Sequence, residues 1–419
     1  MLTGNYYMIY MKFTFSSMLS EMKPSEIREL LKMANTKGLI SFGGGMPDPA
    51  TFPIKDLESI MADIFKNYSS NAFQYGVTQG IKPLREQIKR LVKETENIDC
   101  TEDQINVTSG SQQALYAVSK VLVPPGESVI TELPTYVGAI SANNANMVNM
   151  VGIEMDEHGM RTDLLEDKLS EMKSNGKPPK FIYVIPNFHN PAGYTLSLER
   201  RKHLIELAVD YNIPIVEDNP YGELRYYGSK IPSIKSMDPH NYVIYMGTFS
   251  KVMTPGLRIG YVLGDQEFIS KVNLLKQALD LSTNTLSEYV AYEYLKRDIM
   301  KKQIPKNIEI YRKKRDAMLK ALSENFPENS NWSKPDGGMF VWATVDPAID
   351  TTRMLARSVK NGVAYISGVS FHPNAEKRNN MRINFSYPSI EDIHEGIRRL
   401  SKTLEEESAE IASSPAKAS

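Results

Sequence analysis

Apolar residues along the chain change their spacing in a regular way, and the spacing predicts the elements. In PSEIRELLKMAN, residues 24–35, Ile27, Leu30, Leu31 and Ala34 recur at helical intervals. They predict a short amphipathic helix with proline at its start. LISFGGGMPDP, 39–49, cannot continue it, because three glycines and two prolines break a regular helix. Those glycines either permit close backbone approach by another group or serve as a plain connector. From about residue 55 to 300, short apolar runs alternate with helical periods. INVTSG (105–110) reads as a strand entering a turn, and SQQALYAVSKVL then puts Ala114, Leu115, Val118, Val121 and Leu122 on one helical face. FIYVIP (181–186), IPIVED (213–218), YVIYMG (242–247) and RIGYVLG (258–264) read as further strands. LERRKHLIELAVDYN, between the first two of these, reads as an amphipathic helix. Apolar runs without clean alternation, separated by helices, predict a mostly parallel sheet covered on both faces.

The pattern changes near residue 300. KNIEIYRKKRDAMLKAL predicts a polar-faced helix, while GGMFVWATV (337–345) and MRINFSY (381–387) predict half-buried strands. EDIHEGIRRLSKTL predicts a closing helix with Ser389 as its N-cap and Glu391 and Asp392 in the first turn. The expectation is an α/β protein. A large sheet domain occupies 55–300, a smaller α+β domain combines 20–54 with 301–404, and a disordered tail covers 405–419.

Composition narrows the function classes. Lys and Arg total 49 against 50 Asp and Glu, a formal charge of -1, which argues against strong attraction to nucleic acid or anionic membrane. Cys100 is the only cysteine, so no intrachain disulfide can form, and a reducing compartment is expected. No neighbouring motif would activate that thiol, which reads as structural or incidental. The six histidines show no ligand spacing, so no metal is expected, and His189 reads as a loop residue. The opening MLTGNYYMIYMKFTF lacks a basic leader region and a small-residue cleavage site, and no apolar run is long enough to span a bilayer. A soluble cytoplasmic protein is expected, with Met11 as an alternative start.

Candidate chemistry lies where polar residues meet strand ends, the place where open α/β sheets collect ligands. Ser109-Gly110-Ser111-Gln112 sits at a strand-to-helix junction that suits a phosphate, though a serine there is as readily a plain N-cap. No GxGxxG is present to support a dinucleotide. PNFHNPAG, 186–193, places Asn190 at the sheet edge or forms only a tight loop. In VEDNPYGEL, 216–224, Asp218 ends an apolar strand, where a carboxylate needs a partner such as a pyridine nitrogen. Tyr221 follows, suited to a phenolate oxygen or to packing. YMGTFSKVMTPGLRIGY, 245–261, sets Lys251 in a serine/threonine-rich turn, a Schiff-base candidate if burial lowers its pKa and a solvated charge otherwise. Thr248 and Arg258 flank it, both suited to phosphate, and Arg258 begins the next apolar run. Arg382, among the apolar residues of MRINFSY, suits either a substrate carboxylate or a structural ion pair.

Taken in order, SKVMTPGLRIG, PNFHNPAG, EDNPYGEL and GGMFVW resemble the signatures of the fold type I, class I/II aminotransferases. The resemblance spans roughly 24–404 and is strongest to the 2-aminoadipate, kynurenine and aromatic aminotransferase subgroup. It implies a large, mostly parallel seven-stranded sheet domain, a smaller α+β domain and pyridoxal 5'-phosphate as cofactor. By resemblance Lys251 carries the Schiff base, Asp218 meets the ring nitrogen, and Tyr221 and Asn190 meet the ring oxygen. Gly110, Ser111, Gln112, Thr248, Ser250 and Arg258 would hold the phosphate, and Tyr136 would stack on the ring. Tyr75, in FQYGVTQG, would reach the phosphate of a second subunit, implying a homodimer. Arg382, with Gly45 and Asn190, would grip the substrate carboxylate. Arg28 would either read a distal carboxylate or anchor its helix.

The expected activity is amino transfer from an L-amino acid (aromatic, 2-aminoadipate or glutamate) to a 2-oxo acid such as 2-oxoglutarate. A carbon–sulfur or β-eliminating lyase on the same scaffold is the nearest alternative. A regulatory protein with an aminotransferase-like sensor domain is a more distant one.

Overall fold

A computed structural model of the protein describes residues 13–20, 38–374 and 377–413. The helix expected at 24–35, with Arg28, lies outside the described residues. After β1 (Ile40–Ser41), the strands of the large sheet are β2 (Ile105–Thr108), β3 (Ser128–Leu133), β4 (Asn149–Asp156), β5 (Gly159–Met160), β6 (Ile182–Val184), β7 (Ile215–Asp218), β8 (Val243–Thr248) and β9 (Gly260–Leu263). Their order is β2-β9-β8-β7-β6-β3-β4-β5. From β8 through β4 all neighbours are parallel, and β9 runs antiparallel to both β2 and β8. The two-residue β5 closes a hairpin on β4, adding a short eighth strand to the seven-stranded layer.

Burial on both faces explains why these strands read as unbroken apolar runs. In β6 and its exit, Tyr183 and Ile185 pack in one cluster with Ala114, Leu115 and Val118 of the helix Ser111–Leu122. The alternate residues Ile182 and Val184 pack in another with Leu204 and Ala208 of the helix Leu198–Tyr211. The two-residue pleat of a strand produces this division. Helices on both faces then hold the carboxyl ends of β6, β7 and β8 side by side at one edge.

The smaller sheet contains β10 (Asn331–Trp332), β11 (Phe340–Thr344), β13 (Ile366–Ser367) and β14 (Asn380–Asn384), antiparallel in the order β10-β11-β14-β13. β12 (Val363–Ala364) pairs instead with β1 in parallel, which ties residues 40–41 to this region. The helix Ile299–Asn325 strengthens the tie. Its Tyr311 hydroxyl accepts from the Asp48 N–H at 3.1 Å, and its Lys314 ammonium donates to the Asp48 carboxylate at 2.5 Å.

The closing helix, Ile390–Ser413, is capped as its sequence predicts: the Ser389 hydroxyl accepts from the Asp392 N–H at 3.0 Å. It also runs beyond the expected end. Residues 405–413 are helical rather than part of a loose tail, because the Arg357 guanidinium binds Glu407 at 2.9 Å and also pairs with Glu410. No helix among the described residues is long and apolar enough to cross a membrane.

Candidate active site

Beyond the carboxyl ends of β6, β7 and β8, a cleft of about 270 Å³ opens between the large sheet and the smaller one. Twelve of the residues singled out from sequence line it: Gly45, Ser111, Gln112, Tyr136, Asn190, Asp218, Tyr221, Thr248, Ser250, Lys251, Arg258 and Arg382. They come from segments far apart in the chain, and the parallel topology brings them together.

Asp218 is the last residue of β7 and is buried. Its Oδ2 accepts from the Tyr183 hydroxyl at 2.8 Å, while its Oδ1 has no hydrogen-bond partner among the described residues. Burial pushes the carboxyl up to about 7; the Tyr183 hydrogen bond acts against this, and the neighbouring Glu132 adds to it. One oxygen is therefore fixed and the other is ready for a cationic or N–H partner. Tyr221, three residues on, is also buried, and its hydroxyl accepts from the Asn190 amide nitrogen at 3.3 Å.

Lys251 follows β8 in the turn, and its Nζ donates to the Gly45 carbonyl at 2.7 Å. Burial, then the positive charges of Arg382 and Arg258, bring its amine down to about 8. That is the direction a nucleophilic or proton-carrying lysine requires. A freely solvated charge, the other reading of this position, does not match a half-buried side chain whose amine is bonded to the Gly45 carbonyl.

The phosphate-type cradle lies at the start of the helix Ser111–Leu122, where Gly110 has φ +74°. The positive φ favours glycine there, and a Cβ would come within 2.4 Å of the end of the Arg258 side chain, which would have to shift. Arg258 does not begin β9 as its sequence suggested. It occupies the left-handed region at φ +55° before the strand starts at Gly260, which turns its side chain back toward Gly110. Thr248 and Ser250 bond to each other through their hydroxyls at 3.0 Å. Behind the cradle, the Asp280 carboxylate accepts from Ser109, Gln113 and Lys276 at 3.1, 2.7 and 3.0 Å.

Arg382, on β14, is buried with its charge directed into the cleft. One nitrogen donates to Asn190 Oδ1 at 3.0 Å and another to the Gly43 carbonyl at 2.8 Å. Its flat faces lie 4.3 Å from the Phe340 ring centre and 5.0 Å from that of Phe371. The peptide bond Asn190–Pro191 is cis. Asn190 thus spans the site, its amide oxygen on Arg382 and its amide nitrogen on Tyr221.

Three residues escaped the sequence reading of the site. Tyr183 sits inside an apolar run and reads as core. Glu132 and His189 are both buried, with Oε2 and Nε2 3.1 Å apart, and Glu132 also accepts from the Ile185 N–H at 2.8 Å. His189 is a loop residue, as expected, but a buried one, and its Nδ1 accepts from the Ala192 N–H at 3.3 Å, next to Asn190. The available signal was Glu132 itself, an acid among apolar strand residues, which requires a partner. Tyr75 does not line this cleft and is 83% exposed. Cys100 is half-buried, and burial pushes its thiol up to about 11, in keeping with an inert side chain.

This donor set fits pyridoxal phosphate. A buried carboxylate oxygen without a partner suits a pyridine nitrogen, an arginine and a helix start suit a phosphate, and a lysine amine of lowered basicity suits an aldehyde. Comparison with known proteins agrees. The chain is 46% identical over 393 residues to aromatic-amino-acid aminotransferase 1 of Thermococcus litoralis, covering 94% of each. It is 33% identical to 2-aminoadipate transaminase of Thermus thermophilus, covering 93% of this chain and 96% of that one. A crystal structure of Pyrococcus horikoshii kynurenine aminotransferase superposes with a TM-score of 0.91 at 45% identity, covering 94% of this chain and 97% of that one. Residues 40–400 match the family described as aminotransferase class I and II, and the chain belongs to that family of pyridoxal-phosphate enzymes, near its aminoadipate, kynurenine and aromatic aminotransferases.

Proposed function

We propose that this aminotransferase moves the amino group of an aromatic or similarly apolar L-amino acid to a 2-oxo acid such as 2-oxoglutarate, with 2-aminoadipate and glutamate as further donors. The observation that carries the reading is the joint placement of the Lys251 amine, the open Asp218 oxygen and the Arg382 fork in one cleft. Met46 and Phe340 give that cleft apolar walls beside Arg382, which favours an apolar side chain on the donor. The names of the relatives point to the same substrates: aromatic amino acids, kynurenine and 2-aminoadipate.

The chain's own groups divide the work. Lys251 would hold the cofactor covalently, and Asp218 would face its ring nitrogen. Tyr221 and Asn190 would bind the ring oxygen, and Tyr136 would cover the ring. Gly110, Ser111, Gln112, Thr248, Ser250 and Arg258 would hold the phosphate. When bound, pyridoxal phosphate supplies an electron sink for the pair left on the substrate Cα. Arg382 binds the substrate carboxylate in bidentate fashion, with Asn190 and the Gly45 backbone beside it. Lys251, as a neutral amine, would take the proton from the substrate Cα and carry it for return on the same side of the cleft. A basicity near 8 suits both directions of that transfer at neutral pH.

A homodimer completes the proposal, with Tyr75 extending into the partner's phosphate site. Tyr75 is accompanied by Phe65, Phe73 and Val77, all exposed apolar residues on the same stretch of chain.

The test is a panel of tyrosine, phenylalanine, kynurenine, 2-aminoadipate and glutamate with 2-oxoglutarate, following the cofactor's change from aldehyde to amine form by absorbance. Aromatic donors should react fastest. Inertness toward all of them would overturn the reading, and release of pyruvate with ammonia would point instead to an eliminating lyase.

A further inference from the structure

The large sheet sets Tyr183 and Asp218 on one face. β6 and β7 pair in register with Tyr183 opposite Val216, so Asp218 lies two residues further along and shares the Tyr183 side of the sheet. The tyrosine hydroxyl crosses that offset to reach Asp218 Oδ2 at 2.8 Å. Both residues are almost wholly buried, at 1% and 2% exposure, so water does not supply the contact. The other carboxylate oxygen, Oδ1, is buried without a partner among the described residues. A carboxylate on a single bond could rotate and present either oxygen, or sit between two poses. The Tyr183 hydrogen bond removes that freedom and leaves the other oxygen unoccupied on a residue that lines the cleft.

We infer that Tyr183 is a positioning residue: it pins Oδ2 of Asp218 so that Oδ1 alone meets the ring nitrogen, and it keeps the carboxylate ionised in a buried setting. The inference rests on the proposed placement of Asp218 against that nitrogen.

The surroundings explain why such a residue is needed. Burial opposes the Asp218 charge, and Glu132 from β3 is the ionisable neighbour that pushes its carboxyl further up. The Tyr183 hydroxyl is the side-chain donor acting the other way. Tyr136 and Tyr221, whose own hydroxyls feel the Asp218 charge, face the cleft and make no hydrogen bond to the carboxylate among those described. An ionised Asp218 raises the proton affinity of the ring nitrogen. Loss of the tyrosine hydroxyl lowers it, and the ring then releases its proton at lower pH.

The experiment compares wild-type holoenzyme, Tyr183→Phe and Asp218→Ala. Three quantities are read: the ring-nitrogen signal of nitrogen-15-labelled cofactor against pH, the single-turnover rate with an aromatic donor, and that donor's KM. In wild type the nitrogen should stay protonated between about pH 6 and 9; in Tyr183→Phe it should deprotonate as pH rises within that window. The single-turnover rate should fall about 10-fold, with KM changed less than about 2-fold. Reconstitution with a carba analogue, in which C–H replaces the ring nitrogen, should abolish the difference between wild type and Tyr183→Phe. If Tyr183→Phe slows both cofactors equally, the tyrosine is merely structural and the inference fails. It also fails if the nitrogen signal and the rate match wild type while Asp218→Ala collapses both. If Asp218→Ala itself behaves as wild type, the error lies in the placement of Asp218 and not in Tyr183 alone. A Tyr183→Phe protein that melts at the wild-type temperature confirms that the comparison is between folded enzymes.

Discussion

The two sides of the cleft are built differently. On the proposed cofactor side, most groups stand on or just after a strand of the large sheet, Arg258 stands just ahead of one, and each short motif delivers several at once. Asp218 and Tyr221 lie three residues apart, Thr248, Ser250 and Lys251 share one turn, and Gly110 and Ser111 open one helix. On the substrate side, Arg382 depends on Asn190 and on the Gly43 carbonyl, groups separated from it by most of the chain. A carboxylate that binds Arg382 would therefore meet three elements at once: β14, the 186–193 loop and the segment that follows β1. The cofactor side is a rigid mount; the substrate side is a junction. Damage to the first should act on chemistry and cofactor retention, and damage to the second on substrate recognition.

Replacing residues on each side separates these effects. Lys251→Ala should have the largest, a loss of roughly 10²–10⁴-fold in the half-reaction, since it removes both the covalent anchor and the proton carrier. Stopped-flow measurement with an aromatic donor checks it. Arg382→Ala should follow, lowering kcat/KM by about 10²–10³-fold, mainly through KM, because a buried charged hydrogen-bonding group is lost. Its cofactor absorbance should remain that of wild type. A similar drop in cofactor binding would blur the two sides into one.

Asp280→Asn tests the mount from behind. Asp280 gathers Ser109, Gln113 and Lys276 beneath the phosphate cradle, so weakening it should reduce cofactor affinity about 10-fold while leaving the donor's KM in place. Equilibrium titration of the apoenzyme with pyridoxal phosphate reads that change. The smallest effect concerns pH. The Lys251 amine is brought down to about 8, and only its neutral form attacks an aldehyde. Its neutral fraction grows with pH, so cofactor uptake should rise about tenfold per pH unit below 8 and level off above. A rise that continues toward the ordinary lysine range would show that the burial of Lys251 does not govern its reactivity.

The same contrast explains what the sequence disclosed. Groups on the cofactor side were legible because each sits in a local motif whose turn and helix residues announce a strand end. Lys251, Asp218 and Arg258 could be picked out that way, although the left-handed conformation of Arg258 could not. The substrate junction was legible only in its parts. Nothing near Arg382 in the chain says that its nitrogen meets the Gly43 carbonyl, since that contact depends on how β1 docks beside β12. Tyr183 was hidden for a different reason. A tyrosine in an apolar strand satisfies ordinary packing, and only the β6–β7 register shows its hydroxyl aimed at a carboxylate. His189 and Glu132 form a buried pair from distant segments, a partnership no single motif contains.

The central claim is that one lysine, Lys251, supplies the reactive amine at the centre of this cleft. Borohydride reduction of the holoenzyme followed by peptide mapping tests it directly. The label should be recovered quantitatively on the peptide bearing Lys251, and Lys251→Ala should carry none. A label on any other lysine, or a wild-type protein that takes up no pyridoxal phosphate, would contradict the account.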